Sequence, residues 1–372
     1  MRKRTALLLL LALLLPALPA RAFLSTAGDP PLVSAQSAIV YEPLSGTVLF
    51  EKEPDLRMLI ASTTKIMTAM IVLEHCALNE TVTVTPEHAS VEGSSMYLRA
   101  YEYYTVEDLL YGLMLASGND AAAALADHCA GSMEAFAALM NEKAEALGLQ
   151  NSHFANSHGL DAEGHYSCAR DLALITAAAM ENPTFCRFFA TKTRHVHGYD
   201  LQNHNQLLWS LDGCVGGKTG YTNAAGRILV SATEREGMRL IVVTLCDPDD
   251  WTDHRTLVEK CFAEYRLVRL PEDRWDRIET ASGTREYVRL RCERPAVLVP
   301  RDCELRLRVY LPRFVFAPVQ AGEVAGTVEL YCDGALFQTV EVCYGETVGR
   351  DSAVGLTAWE RFQRSWLRPG SS

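Results

Sequence analysis

The chain has 372 residues, 48% of them hydrophobic and 22% charged, with a formal net charge of −11. That length and apolar content suit two ordinary domains and exclude global disorder. An acidic balance of this size argues against nucleic acid as a partner.

In chain order, Arg2, Lys3 and Arg4 precede an apolar stretch from Ala6 to Leu15, which is too short to span a bilayer. Pro16 and Pro19 interrupt it, and Ala20-Arg21-Ala22 offers small residues at a cleavage site, so residues 1–22 read as an export signal. A retained membrane anchor is the competing reading. Without that segment, which carries four basic groups and no acid, the formal charge is −15. Residues 23–34 read as a Pro-containing linker. The eleven cysteines include no Cys-x-x-Cys pair, so metal-site spacing is absent and ordinary core thiols are expected, with Cys332 and Cys343 a conceivable bridge.

Ser37–Tyr41, the turn Pro43-Leu44-Ser45-Gly46 and Thr47–Phe50 predict a hairpin. Ser62 then opens a helical run in which Ile66, Met67, Met70 and Leu73 recur at helical spacing, placing Ser62 and Lys65 on one face. Thr105-Val106-Glu107-Asp108 predicts a helix start, and Gly118 its end, with Asn119 or Asp120 capping an alanine-rich helix through Cys129. A further helix is expected from Ser132 to Leu147. Gly216-Gly217-Lys218-Thr219-Gly220 precedes two strand-like runs, Arg227–Ala232 and Leu240–Leu245, which predict antiparallel strands of a central sheet. Residues 254–266 read as a closing helix. From about residue 276 to 345 short alternating strands predict an all-β domain, with Asp333-Gly334 as a hairpin turn. Trp359, Phe362 and Trp366, interleaved with Arg361, Arg364 and Arg368, predict a short amphipathic tail helix. A peripheral membrane anchor and a helix docked on the β domain both fit that tail. The expected organisation is therefore a signal (1–22), a linker (23–34), a catalytic domain (35–270), a C-terminal β domain (271–348) and a tail (349–372).

Three strings carry the chemistry: Ser62-Thr63-Thr64-Lys65, Ser117-Gly118-Asn119 and Lys218-Thr219-Gly220. Singly each has a bland reading, as a helix cap, a turn or a hairpin; in this order and spacing they outline a serine-nucleophile acyl-transfer site. Ser62 needs a base to remove its proton, and Lys65 is placed to be that base if burial and a second cation, Lys218, lower its pKa. The Ser62 backbone N–H suits a developing oxyanion, Ser117 a proton relay to the leaving group, and Asn119 the orientation of substrate or Lys65. Lys218 and Thr219 suit a substrate carboxylate, and Gly220 leaves room beside the strand edge. His153, His158 and His165 fall in a turn-rich stretch; structural loop histidines are expected there, and His195, His197 and His204 are ambiguous.

At these residues the chain resembles the serine-type D-alanyl-D-alanine carboxypeptidases, the low-molecular-mass penicillin-binding proteins. Ala61–Ala69, Leu115–Ala122 and Gly217–Thr222 look like the family's three boxes. Asn156–Asp161 with Gly164–Ser167 is similar to a loop near its active site, and Ala317–Glu323 to its C-terminal β domain. The resemblance implies an α/β (α+β) fold of the β-lactamase type, an antiparallel sheet flanked by helices, plus a small all-β domain. It implies removal of the terminal D-alanine from peptidoglycan stem peptides, acylation of Ser62 by β-lactam antibiotics, and no cofactor or metal. It places the oxyanion donors on the backbone N–H groups of Ser62 and Tyr221, and the enzyme at the extracytoplasmic face of a bacterial membrane. Cys168 and Cys214 depart from the family pattern. A β-lactamase is the nearest rival, with Glu163 the nearby candidate for its water-activating glutamate; a non-catalytic wall-binding module is the second.

Overall fold

The computed structural model describes residues 32–271 and 275–351. The export signal, most of the linker and the amphipathic tail helix lie outside them. Among the described residues no helix is long and apolar enough to cross a membrane.

Five strands form the central sheet: β1 (Ser37–Glu42), β2 (Thr47–Lys52), β3 (Cys214–Thr222), β4 (Gly226–Arg235) and β5 (Met238–Leu245). Their spatial order is β2-β1-β5-β4-β3, and each neighbouring pair is antiparallel. The glycine-rich third motif thus occupies an edge strand. The apolar run Leu240–Val243, with Thr244 and Leu245 after it, is explained by burial on both faces. Ile241, Val243 and Leu245 join one core, whereas Leu240 and Val242 join the other.

The first core lies under a helical layer: α1 (Lys65–His75), α2 (Val106–Leu115), α3 (Asn119–Ala130), α4 (Met133–Ala146), α5 (Ala169–Ala179) and α6 (Pro183–Ala190). The second core lies under α7 (Asp250–Glu264), whose Leu257, Val258, Cys261 and Phe262 pack on Ala38, Val40, Leu229 and Val242. The expected start of α2 holds in detail, since Thr105 and Asp108 form a reciprocal capping box. α7 begins and ends earlier than residues 254–266, because Tyr265–Arg269 is already a strand, paired with Ala296–Pro300.

Beyond it, six strands between Arg277 and Tyr344 form the β-rich region, the all-β addition that the sequence predicts. Asp333-Gly334 is its hairpin turn; both residues have positive φ, 50° and 83°, as a tight hairpin requires. This pairing separates Cys332 from Cys343: the first faces Ala335 at the turn and the second faces Val324 at the opposite end. The Cys332 thiol instead donates to Cys303, so the suggested Cys332–Cys343 bridge is not the pairing this fold favours.

Candidate active site

The three motifs meet at one end of the sheet. Ser62 lies in a single 3-10 turn, Ala61–Thr64, that runs directly into α1. The Ala61 backbone has φ 44°, a sharp turn where the chain enters the 3-10 turn. Lys65, three residues on, is fully buried, and its Nζ lies in hydrogen-bond contact with Ser62 Oγ at 2.8 Å. The same Nζ donates to Asn119 Oδ1 at 2.7 Å and to the His158 carbonyl at 2.6 Å. Burial, then the Lys218 charge, holds the Lys65 amine well below its ordinary pKa, with Asp120 opposing. A neutral amine has two N–H donors. In that form the two carbonyl-type oxygens would accept both and the lone pair would face Ser62 Oγ.

The second motif is built differently from the sequence expectation. α2 ends at Leu115, and the positive φ of 57° falls on Ser117, not on Gly118, whose φ is −58°. Gly118 is required for space, because a Cβ there would stand 2.6 Å from Asp120 Oδ1. Neither Asn119 nor Asp120 caps α3 through its side chain; Gly118 is the N-cap. The Asn119 side chain turns away to Lys65 and to the Glu92 carbonyl, which accepts from Nδ2 at 2.7 Å. Asp120 accepts from Ser95 Oγ at 2.6 Å and from the Met96 and Leu98 backbones at 3.1 and 3.0 Å. It therefore fastens the 95–98 segment to the motif, a positioning role that the sequence reading missed. Three donors within one loop would have to be known in advance to find it.

Lys218 pairs across β3–β4 with Val230, so both side chains rise on the helix-covered face. Its Nζ, only 2% exposed as a residue, donates to Ser117 Oγ and to the Thr219 carbonyl, both at 2.8 Å. Burial lowers its pKa to about 7. Gly220 carries a different meaning from the one expected. A Cβ there would stand 3.2 Å from the Ser62 nitrogen, Ala61 Cβ and the Ile60 carbonyl. The missing side chain lets the edge strand close on the nucleophile turn itself. Tyr221, next along the strand, is 63% exposed.

The 151–166 segment forms the third wall. Its His158 carbonyl is the Lys65 acceptor, and Thr222 Oγ1 donates to Asp161 Oδ1 at 3.0 Å. Gly159 has φ 91°, and a Cβ on it would overlap the Ala61 carbonyl oxygen. His165 Nδ1 accepts from the Ala155 N–H at 3.1 Å, which leaves the ring proton on Nε2 to meet Thr64 Oγ1 at 2.8 Å. Burial first, then neighbouring cationic groups, lowers the pKa of His158 and of His165 to about 4. Both act as neutral struts, the structural role expected of them. Cys168 is a buried N-cap whose sulfur accepts from Asp171 N–H at 3.4 Å. Cys214 donates to the Gly216 carbonyl at 3.6 Å, and burial raises its pKa, so it is a neutral thiol beside the motif.

A cleft of about 1460 Å³ runs past this centre, lined by Ser62, Ser117, Thr219, Gly220 and Tyr221 and widened by Trp209 and Trp251. Lys65 and Lys218 sit beneath it, buried. Glu163 is exposed and does not line the cleft, which removes the glutamate that the β-lactamase alternative requires. All eight residues predicted for the site fall at this one junction.

Comparison with known proteins agrees. A D-alanyl-D-alanine carboxypeptidase family model matches residues 25–249. The carboxypeptidase DacC of Escherichia coli is 34% identical over 329 residues, 82% of each chain. DacF of Bacillus subtilis is 29% identical over 353 residues, 90% of each. Among solved structures, penicillin-binding protein 5 of Haemophilus influenzae superposes with a TM-score of 0.76 at 28% identity, over 87% of this chain and all of that one. A Streptomyces K15 DD-transpeptidase variant is 34% identical over 63% of this chain, with a TM-score of 0.60. With its three motifs converged on one hydroxyl, this chain belongs to the D-alanyl-D-alanine carboxypeptidase family of serine peptidases.

Proposed function

We propose that the chain's D-alanyl-D-alanine carboxypeptidase activity runs through an acyl-Ser62 intermediate, with Lys65 as the general base. Lys65 Nζ takes the Ser62 proton as Oγ attacks the carbonyl carbon of the penultimate D-alanine. The Ser62 and Tyr221 backbone N–H groups receive the developing oxyanion. The proton passes by way of Ser117 to the departing D-alanine amine. Water then releases the shortened stem peptide. Lys218 and Thr219 hold the terminal carboxylate, and Asn119 fixes both Lys65 and substrate. A β-lactam enters by the same route and remains on Ser62. The observation that carries this reading is the 2.8 Å contact from Lys65 Nζ to Ser62 Oγ, with both other amine partners fixed oxygens.

Mass spectrometry of the protein with penicillin, and separately with a pentapeptide ending in D-Ala-D-Ala, tests it. Adduction at Ser62 and release of D-alanine are expected, and both vanish in Ser62→Ala. Adduction on another residue would overturn the assignment. Rapid turnover of the penicillin adduct would instead favour the β-lactamase alternative.

The wider setting belongs to the same proposal: 1–22 as an export signal, 35–270 as the catalytic unit, 271–348 as the β domain and 349–372 as a peripheral membrane anchor. The basic-aromatic pattern of the tail supports the anchor. Deleting residues 352–372 should move the mature protein from the membrane fraction to the soluble one, and unchanged sedimentation would count against it.

A further inference from the structure

Far from the cleft, the C-terminal ends of α1 and α3 lie side by side. Cys76 directly follows α1, Cys129 is the penultimate residue of α3, and His128 precedes it. Glu80 lies just before the short strand Thr81–Thr83. The ligand atoms of Cys76, Glu80 and His128 all lie within 4.8 Å of one another, and His128 Nε2 is 2.8 Å from Glu80 Oε2. The Cys76 thiol donates to the sulfur of Cys129, which places a fourth donor beside Cys76, next to the three that share the 4.8 Å spacing. These are two sulfurs, one imidazole nitrogen and one carboxylate oxygen.

We propose that Cys76, Cys129, His128 and Glu80 form a binding site for one zinc-class divalent cation. The donor set is the one such ions prefer. Bonds of about 2.3 Å to sulfur and about 2.0 Å to nitrogen or oxygen put tetrahedral ligand atoms roughly 3.3–3.8 Å apart. Ligation by all four requires the side chains, that of Cys129 above all, to rotate inward to that spacing. On binding, each thiol loses its proton to solvent, the imidazole ligates as the neutral Nδ1–H tautomer, and Glu80 exchanges its contact with His128 for the metal. The four ligands come from two separate segments, 76–80 and 128–129, so no Cys-x-x-Cys spacing announces them. The site is structural: α1 runs about 16 Å from Lys65 to Cys76, so the metal ties together the ends of α1 and α3 opposite to those bearing Lys65 and Asn119.

The test is titration of the reduced full-length chain with cobalt(II), followed by displacement with zinc(II). One ion per chain is expected, with sulfur-to-metal charge-transfer bands and the visible bands of a tetrahedral ion. Cys76→Ser, or Cys129→Ser should the first fail to fold, removes the charge-transfer bands. His128→Ala weakens binding by more than the roughly 10–100-fold that loss of an outer partner costs. Penicillin adduction at Ser62 stays at the wild-type rate in these variants, so failure here is separable from failure of the catalytic assignment. Cobalt spectra without sulfur bands, or no retained metal, would overturn the site. So would a mass lower by one pair of hydrogens with Cys76 and Cys129 linked in the purified, unreduced chain and no metal uptake after reduction.

Discussion

The sheet-and-helix region and the C-terminal β region are built on opposite principles. Every buried polar or charged side chain among the described residues lies between Ser37 and His254. From Arg277 onward the core is apolar, with Val288, Val328, Leu330, Val340 and Val342 at its centre. Burying amines, amides and carboxylates costs stability unless each finds a partner. The first region bears that cost around Ser62, where the proposed mechanism needs a neutral amine, whereas the second folds by simple alternation. The contrast says where activity and stability separate.

The sharpest way to break that contrast is Ser62→Ala, which should abolish both penicillin adduction and D-alanine release while leaving the melting temperature nearly unchanged. Lys65→Met follows, lowering the acylation rate by about 10²–10⁴-fold, the usual worth of a positioned base. Because an apolar side chain of similar length replaces a buried amine, its melting temperature should hold or rise. A coincident fall in both would show that Lys65 is also structural. Gly159→Ala tests the wall: overlap with the Ala61 carbonyl at φ 91° should cost stability by roughly 1–3 kcal/mol and slow acylation together. Leu330→Ala, at the apolar centre of the other region, should lose about 2–5 kcal/mol by denaturant unfolding yet keep the acylation rate of the folded protein.

The smallest effects are those of pH. Lys218, with its pKa lowered to about 7, is charged below that value and neutral above it. KM for a substrate with a free terminal carboxylate should therefore rise as pH climbs through about 7, and Lys218→Ala should flatten the profile. On stability, His158 and His165 titrate at about 4 and His254 at about 3 in the fold, against 6.5 when unfolded. Between those limits the unfolded chain binds more protons, so stability falls as pH drops from about 6.5 toward 4. Urea midpoints across that range check the sign. A flat profile would mean that these rings are not held neutral.

Much of the fold was legible because period and punctuation are local signals. The β1–β2 hairpin, the capping box at Thr105, the paired strands β4 and β5 and the Asp333-Gly334 turn all follow from residues close together in sequence. The helices α5 and α6 and the short ribbon Thr193–Gln202 had no such reading, since their start signals include a cysteine cap at Cys168 and an Asn-Pro pair at Asn182. The site residues themselves were legible as three motifs, but the roles of their glycines were not. Gly118 and Gly220 look like turn and substrate-space residues, yet each is required by one close approach, to Asp120 and to Ser62.

Residue types, their order and their local spacing determined the family and pointed to the proposed nucleophile, its amine and the binding lysine, because reactivity resides in individual groups. Only the tertiary structure decided that the Lys65 amine is held well below its ordinary pKa, that Asp120 and the His158 carbonyl hold the site together, and that Cys76 meets His128 and Cys129. Those facts depend on desolvation and on contacts between segments distant in sequence, and neither quantity is written in any one stretch of chain.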